Sequence, residues 1–557
     1  MSTVAAVRDD SPRRLLLAHA GDALGDALAE ALARPPDGAA PTYEVECLDA
    51  AEPAGGAALL VLPDRTTPRR LAEGLSDSDR VLLDQLRYWS RNNTSRRLFL
   101  VSSALVHQPS HRQPGHLAEN ALPRRPPSRP VARRWRRIEE ALVEAAGSQA
   151  EVTVLRPTPI PLRKGEDLFS RLLGGSFSAV PAGFDPPLQL LSLEDLIAAI
   201  RAALAGEWPT GTWHLAPNGV IPLRKALRQA GVRPLPLPAF VLRAVCRLRG
   251  EAPDAVEALR YPFTVSDAAR RGAMAGSAPP ATLDRPVHEL EYDPFSLDRA
   301  YIDRLGRTLF RFLHNRWWRI EWRGLEHIPR QGAAVLVGNH RGHQPWDGVM
   351  ILHRLARDLG RYPRFLIHPA LVKFPHLAPY MSRCGGVHAC RENGDWALSQ
   401  KELLAVFPEG IRGAFRSYRK AHKLARFRPD YVRFALRHRV PIIPITIVGS
   451  AEIFPILGKL DWTWWKRLSE WPTLPVTPTL SLLPLPSKWH IEVLEPIDLA
   501  SEYGPEAADD PGTYRAINTR VRQRMADHLQ SLYRRRPGIF RGKIFPNEPS
   551  PVLGDPT

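Results

Sequence analysis

The segment His340-Arg-Gly-His343-Gln-Pro-Trp-Asp347-Gly places two imidazoles and a carboxylate within eight residues. Moving an acyl group from a thioester to a hydroxyl needs a base that takes the hydroxyl proton. It also needs a group that fixes the tautomer of that base and stabilises the imidazolium. A histidine with a nearby aspartate meets both needs without a covalent intermediate or a metal. His340 follows Asn339 at the end of an apolar run, and six residues separate it from Asp347. His343 stands nearer to Asp347 and is the alternative base.

The elements that position these residues are legible as periodicity. Strand-like runs at 318–329 and 333–339 lead into His340, and 349–359 has a helical pattern. A helix is expected to end at Phe407, and 440–449 reads as a buried strand. Upstream, a helix opens near Ser296, with Asp298 in its first turn favourable to the helix dipole. Ile302, Leu305, Leu309, Leu313 and Trp317 fall on one face of it, and Arg304, Arg307, Arg311 and Arg316 lie elsewhere. Core packing explains that face; a basic amphipathic helix ending in Trp317-Trp318 also suits a bilayer interface. Between 450 and 487 the chain is crowded with Trp, Leu, Pro and Phe, broken by Lys459, Lys466 and Arg467. This is either a long packed surface segment or, with Trp462, Trp464 and Trp465 beside cations, an interfacial one. A last helix is expected at about 512–535, ending in Arg534-Arg535-Arg536.

The N-terminal half alternates apolar runs (14–20, 43–48, 58–63, 97–103, 151–157) with helical stretches such as 79–90 and 134–146. That alternation predicts an α/β fold with a doubly wound parallel sheet. The first run leads into Gly21 and Gly25. A dinucleotide turn wants three glycines so that the backbone can approach the pyrophosphate. Gly25 fits the last position, whereas His19 and Asp22 stand where the earlier glycines belong, and an aspartate there repels phosphate. Arg124, Arg125, Arg129, Arg133, Arg134, Arg136 and Arg137 form a basic cluster, read as a solvated face or as a contact for anionic head groups.

Composition bounds the rest. At 557 residues, two domains are expected. The formal charge of +18 favours an anionic partner. No zinc-finger spacing, RNA-binding aromatic signature or recognition-helix pattern accompanies it, so a nucleic-acid partner is not expected. Cys47, Cys246, Cys384 and Cys390 are too few and irregular for a disulfide framework and read as free thiols of a reducing compartment. No signal-peptide core and no apolar run of about 18 residues is found, which predicts a cytoplasmic protein, peripheral on the inner face of the membrane. Loose Ala/Gly/Pro-rich sequence marks a linker at 266–294 between a domain over 1–265 and another over 295–540, with a flexible tail at 541–557.

Three blocks follow the His/Asp segment in order: Gly385-Gly386-Val-His-Ala-Cys-Arg391, Phe407-Pro408-Glu409-Gly410-Ile-Arg412-Gly413, and Val440-Pro441-Ile-Ile-Pro444 through Gly449. Together they resemble the glycerol-phosphate and lysophospholipid acyltransferase superfamily over roughly 295–540. The longer His-to-Asp spacing, with Asn-His first and Pro-x-Asp-Gly last, is similar to its monoacylglycerol-acyltransferase-like bacterial branch. The resemblance implies His340 as general base, Asp347 as its orienting carboxylate, and Arg391 as the cation on the acceptor phosphate. It implies that Glu409 and Gly410 shape the acceptor site, with Arg412 a further cation there, and that Pro441 and Pro444 belong to the donor side. Guanidinium donors match phosphate oxygens in a fork. The implied reaction is acyl transfer from acyl-CoA or acyl-carrier protein to a lysophosphatidate-like glycerolipid, with no cofactor or metal required.

Residues 12–265 resemble the extended short-chain dehydrogenase/reductase family, the NAD-dependent epimerase-like proteins. The carriers are the opening turn, FLVSS at 99–103, VTVLRPT at 152–158, LLSLEDLIAAIRAAL at 190–204 and GTWHLAP at 211–217. Ser103 matches the family's active-site serine. The stretch that should carry its Tyr and Lys, 130–142, has neither. The alternative function, an NAD(P)-dependent oxidoreductase or epimerase with an appended lipid-binding domain, lacks its acid/base pair.

Overall fold

The computed structural model describes residues 13–19, 22–34, 43–47, 58–63, 65, 75–92, 97–119, 121, 127, 129–148, 150–163, 167–217, 219–249, 252–273, 292–342 and 344–545. The chain divides into two compact units, Met1–Ser296 and Leu297–Thr557.

In the first unit the apolar runs become strands β1 (Arg13–His19), β2 (Tyr43–Cys47), β3 (Ala58–Leu62), β4 (Arg97–Val101), β5 (Glu151–Pro157) and β6 (Gly211–Leu215). They form one parallel sheet in the order β2-β1-β3-β4-β5-β6. Its main covering helices are α1 (Ala23–Ala33), α2 (Asp77–Asn92), α3 (Pro130–Ala146) and α4 (Leu193–Ala205). Leu15 and Leu17 pack toward α1 and α4, while Leu16 and Ala18 pack toward α2 and α3. Alternate residues of one strand thus enter opposite layers, so the strands read as unbroken apolar runs. The sheet is doubly wound, with its switch point between β1 and β3. Among the described residues it carries one strand fewer beside β2 than the dinucleotide-binding order does.

In the second unit the sheet strands are β7 (Glu321–Arg323), β8 (Ala334–Gly338), β9 (Arg364–Ile367), β10 (Gly386–His388), β11 (Leu403–Val406), β12 (Ile442–Val448) and β13 (His490–Val493). They lie in the order β7-β13-β12-β8-β11-β9-β10. The five strands from β12 to β10 run parallel; β13 is antiparallel to β12. Helices α5 (Trp346–Leu359), α6 (Arg391–Ser399), α7 (Asp430–His438) and α8 (Pro511–Arg535) complete the main frame. The segment before Phe407, expected as a helix end, is β11. Its residues are all buried, and α6 stops at Ser399.

Two boundaries and the course of one helix differ from the sequence reading. Residues 266–273 are not linker: Arg270 is buried against Asp267, and the Ser266 carbonyl meets His214 Nδ1. Residues 541–545 are not tail, because Ile544 and Phe545 are buried. The helix after Ser296 is interrupted by π-helical turns at Gly306–Phe310 and Leu313–Trp317. Each wide turn shifts the face that a 3.6-residue period assigns, so Phe310 is buried and Leu309 is turned out.

Candidate active site

The strand β8 is buried throughout, and Asn339 extends it with its side chain. The Asn339 amide donates to the Ile447 carbonyl at 2.9 Å, and its oxygen accepts from the Ile447 N–H at 2.7 Å. This pairing to β12 anchors the chain one residue before His340. After the turn, α5 begins at Trp346, and Asp347 occupies its first turn, where the dipole favours a carboxylate.

His340 Nδ1 lies 2.9 Å from Asp347 Oδ2. The same oxygen accepts from the Arg341 N–H at 2.9 Å. Asp347 has no exposed side-chain surface, whereas the His340 side chain keeps 16%. An ionised carboxylate only accepts, so the imidazole proton sits on Nδ1 and Nε2 keeps its lone pair. The imidazole lies against Phe407, ring centroids 5.0 Å apart. His343, the alternative base, lies outside the described residues.

Glu409 is turned inward. Its Oε1 accepts from Arg341 Nη1 at 2.7 Å and from the His340 N–H at 3.3 Å. Its Oε2 accepts from the Ala425 N–H. Arg341, also buried, donates to the carbonyls of His340, Ala421 and Lys423. The sequence reading set Glu409 toward the acceptor; the geometry engages both of its oxygens inside the protein. Gly410 follows with φ +54°, a conformation that glycine adopts without strain. Arg412 is exposed on the short helix Gly410–Ala414.

Arg391 opens α6 after β10, exposed and paired with Asp395 at 3.2 Å. Since β10 is three strands from β8, about 14 Å of sheet separates the strand ends that lead to Arg391 and His340. The structure therefore gathers His340, Asp347, Glu409 and Gly410 and sets Arg391 apart. Pro441 and Pro444 serve the sheet: their carbonyls accept from Val335 and Leu494 N–H.

His340 and Gly410 open on a cavity of ≈ 130 Å³. Its walls are chiefly apolar, including Val349, Leu352, Phe365, Met381 and Phe415. Cys384 also lines it, and burial pushes that thiol up to about 12, so it is neutral near pH 7 and not poised as a nucleophile. Gln344 closes one side: its Nε2 donates to the Ser481 carbonyl at 2.7 Å, and its Oε1 accepts from Trp346 Nε1 at 2.9 Å. Sequence reasoning gave no role to Arg341, Gln344 or the cavity wall. For Arg341 a signal was at hand, since it adjoins His340.

The dinucleotide site of the first unit does not fit its cofactor. The Asp22 carboxylate caps α1 and accepts from the Gly25 N–H at 2.9 Å, a donor that a pyrophosphate would need. The His19 ring packs so closely on Gly25 that a Cβ added there would collide with its Nδ1. Gly21 lies outside the described residues. Ser103 is buried and accepts from the Leu105 N–H. On α3, Arg134 forms a buried pair with Asp79 at 2.7 Å, and Glu139 pairs with Arg156 at 2.7 Å. Arg134 thus leaves the basic cluster read from the sequence, and Arg136 pairs with Glu140. Arg124 and Arg125 lie outside the described residues.

Among known proteins, the family model described as Acyltransferase matches residues 319–448. An uncharacterized protein of Mycobacterium tuberculosis is 36% identical over 263 residues, covering 45% of this chain and 72% of that protein. A Bos taurus protein named "DGAT1/2-independent enzyme synthesizing storage lipids" is 28% identical over 142 residues, covering 26% and 42%. The solved 1-acyl-sn-glycerophosphate acyltransferase PlsC of Thermotoga maritima is 21% identical, covering 43% of this chain and 81% of that one, with a TM-score of 0.30. The human epimerase family protein SDR39U1, solved with NADPH, is 16% identical, covering 47% and 99%, with a TM-score of 0.34.

Proposed function

Because the chain belongs to the acyltransferase family, we propose that its second unit transfers a fatty acyl group from acyl-CoA or acyl-carrier protein to the hydroxyl of a lysophosphatidate-like glycerolipid. The observation that carries this reading is the His340–Asp347 pair, its imidazole facing a cavity with chiefly apolar walls. The Bos taurus relative, named as an enzyme synthesizing storage lipids, agrees in substrate class.

In this reading His340 Nε2 takes the acceptor hydroxyl proton as the oxygen attacks the thioester carbonyl. Asp347 holds the imidazole by Nδ1 and stabilises the imidazolium that forms. Collapse of the tetrahedral intermediate breaks the carbon–sulfur bond, and the imidazolium returns the proton to the departing thiolate. Arg341 and Glu409 act as positioning residues, fixing the backbone of His340. Arg412, exposed beside Gly410, is the nearer candidate for the acceptor phosphate; Arg391 suits a longer head group or the approach to the site. No metal enters any step, and chelation should leave turnover unchanged. The protein works at an anionic membrane surface on the cytoplasmic side; among the described residues no helix is long and apolar enough to cross a membrane.

The test is acyl transfer by the purified protein against a panel of lysolipids, with His340→Ala and Asp347→Asn alongside. Absence of transfer to every glycerolipid acceptor would overturn the reading.

A further inference from the structure

The segment 477–485 combines features that a packed surface loop does not need. Leu480, Leu482 and Leu483 are 75%, 79% and 71% exposed. Leu480 and Ser481, successive and neither a glycine, take φ of 49° and 63°, in the left-handed region that costs an L-residue energy. Thr477 holds this turn, its Oγ1 accepting from the Ser481 N–H at 2.8 Å. The fold therefore sustains a strained turn whose product is a tip of leucines in solvent.

Two features extend the tip into a surface. Trp317 Nε1 donates to the Pro484 carbonyl at 3.0 Å, and Trp317 stacks on Phe312, which with Leu309 is exposed. Exposed Arg307, Arg311 and Arg316 lie on the same helical stretch. The antiparallel pairing of Gly458, Lys459 and Leu460 with Val476, Pro475 and Leu474 brings a second segment to the start of the loop. There Leu457 and Leu460, followed by Trp462 and Trp464, are exposed among exposed Lys459 and Arg467. Aliphatic tips, interfacial indoles and interspersed cations match a bilayer with anionic head groups, in which apolar side chains sink and cations stay at phosphate depth.

The tip also reaches the catalytic loop. The Ser481 carbonyl, between the leucines, accepts from Gln344 Nε2, and Gln344 Oε1 accepts from Trp346 Nε1, next to Asp347. We propose that the Leu480–Leu483 tip inserts into an anionic phospholipid bilayer, and that the Ser481–Gln344–Trp346 hydrogen bonds transmit this docking to the loop holding His340 and Asp347. The enzyme is then more active on the membrane than off it. The coupling rests on the acyl-transfer reading; the docking does not.

The experiment separates them. The full chain is sedimented with vesicles of phosphatidylcholine alone or with 30% phosphatidylglycerol. Turnover of a water-soluble short-chain acceptor is measured with and without the vesicles. The expected results are binding that needs phosphatidylglycerol, and affinity about tenfold weaker for each leucine changed to serine in the Leu480/Leu482/Leu483 series. The triple variant should keep its vesicle-free turnover and lose the stimulation. Gln344→Leu should bind vesicles as the wild type does yet gain no rate from them. Equal vesicle binding by the triple variant, or equal binding to neutral vesicles, overturns the docking. Conversion of a dimer to a monomer by the triple variant in sedimentation velocity overturns it too, since the leucines would then cover a second copy. Stimulation that survives in Gln344→Leu overturns the coupling. Vesicle binding with no acyl transfer under any condition removes the acyl-transfer reading and leaves the docking standing. The single variant Leu482→Ser, with its unfolding midpoint, guards against a folding defect in the triple variant.

Discussion

The Arg341 guanidinium and the Glu409 carboxylate meet at 2.7 Å with both side chains buried, and the carboxylate also holds the His340 N–H. One motif thereby fastens the other: the turn after β11 clamps the turn after β8. Removing one charge strands its partner in the interior. Glu409→Gln is therefore expected to destabilise the second unit by about 3–5 kcal/mol, read as a lower midpoint in chemical unfolding. Adding Arg341→Met to that variant should restore part of the loss; a purely additive double variant would refute the pairing.

The catalytic assignment makes a sharper demand. His340→Ala should lower kcat by about 10²–10⁴-fold, and Asp347→Asn should fall in the same range because it permits the wrong tautomer. His343→Ala should retain most turnover. Full activity in His340→Ala, with loss in His343→Ala, would transfer the role of base to His343.

Acid should unfold the second unit through two histidines. Burial holds His314 down to about 3 and His353 to about 4, against 6.5 for the free side chain, and their rings lie 5.4 Å apart. Each is neutral when folded and protonates once unfolded. Their stabilisation is complete above about 6.5 and is lost progressively as pH falls toward 4 for His353 and 3 for His314. Each can contribute a slope of up to about 1.4 kcal/mol per pH unit in that window. Stability of His353→Gln measured from pH 7 to 4.5 should show a shallower slope; an unchanged slope would exclude His353 as a source.

If the cavity holds the acyl chain, narrowing it should change chain preference before it changes chemistry. Val349 is 5% exposed and lines it one helical turn from Trp346. Val349→Phe should lower kcat/KM for long acyl donors more than for short ones, by at least about tenfold in the ratio. A uniform loss across chain lengths would point to damage elsewhere.

The first unit should not bind a dinucleotide. Titration with NADPH, followed by its fluorescence, is expected to show no saturation. Saturable binding at micromolar NADPH would mean that Asp22 releases the Gly25 N–H.

Much of this architecture was legible in the sequence for a simple reason. Strands buried on both faces, such as β1 and β8, leave continuous apolar runs, and a histidine that ends such a run is conspicuous. Long-range partnerships were not legible. Arg341 and Glu409 are 68 residues apart; adjacency to His340 marks Arg341 as worth attention, but its partner lies too far along the chain for any local pattern to name it. The π-helical turns before Trp318 defeated the reading of that helix, because a period of 3.6 presupposes a regular ladder. Arg134, read within a basic surface cluster, is buried because Asp79, on another helix, neutralises it.

Residues 541–545 have a consequence for handling the protein. The strand β7 is an outer strand of its sheet. The Ile544 N–H donates to Glu321 on that strand, while Phe545 lies under Arg323 and edges against His490. This short strap shields an outer strand that could otherwise recruit another chain. Truncation at 540, where the family resemblance stops, should yield a protein that self-associates on concentration, whereas truncation after 545 should not.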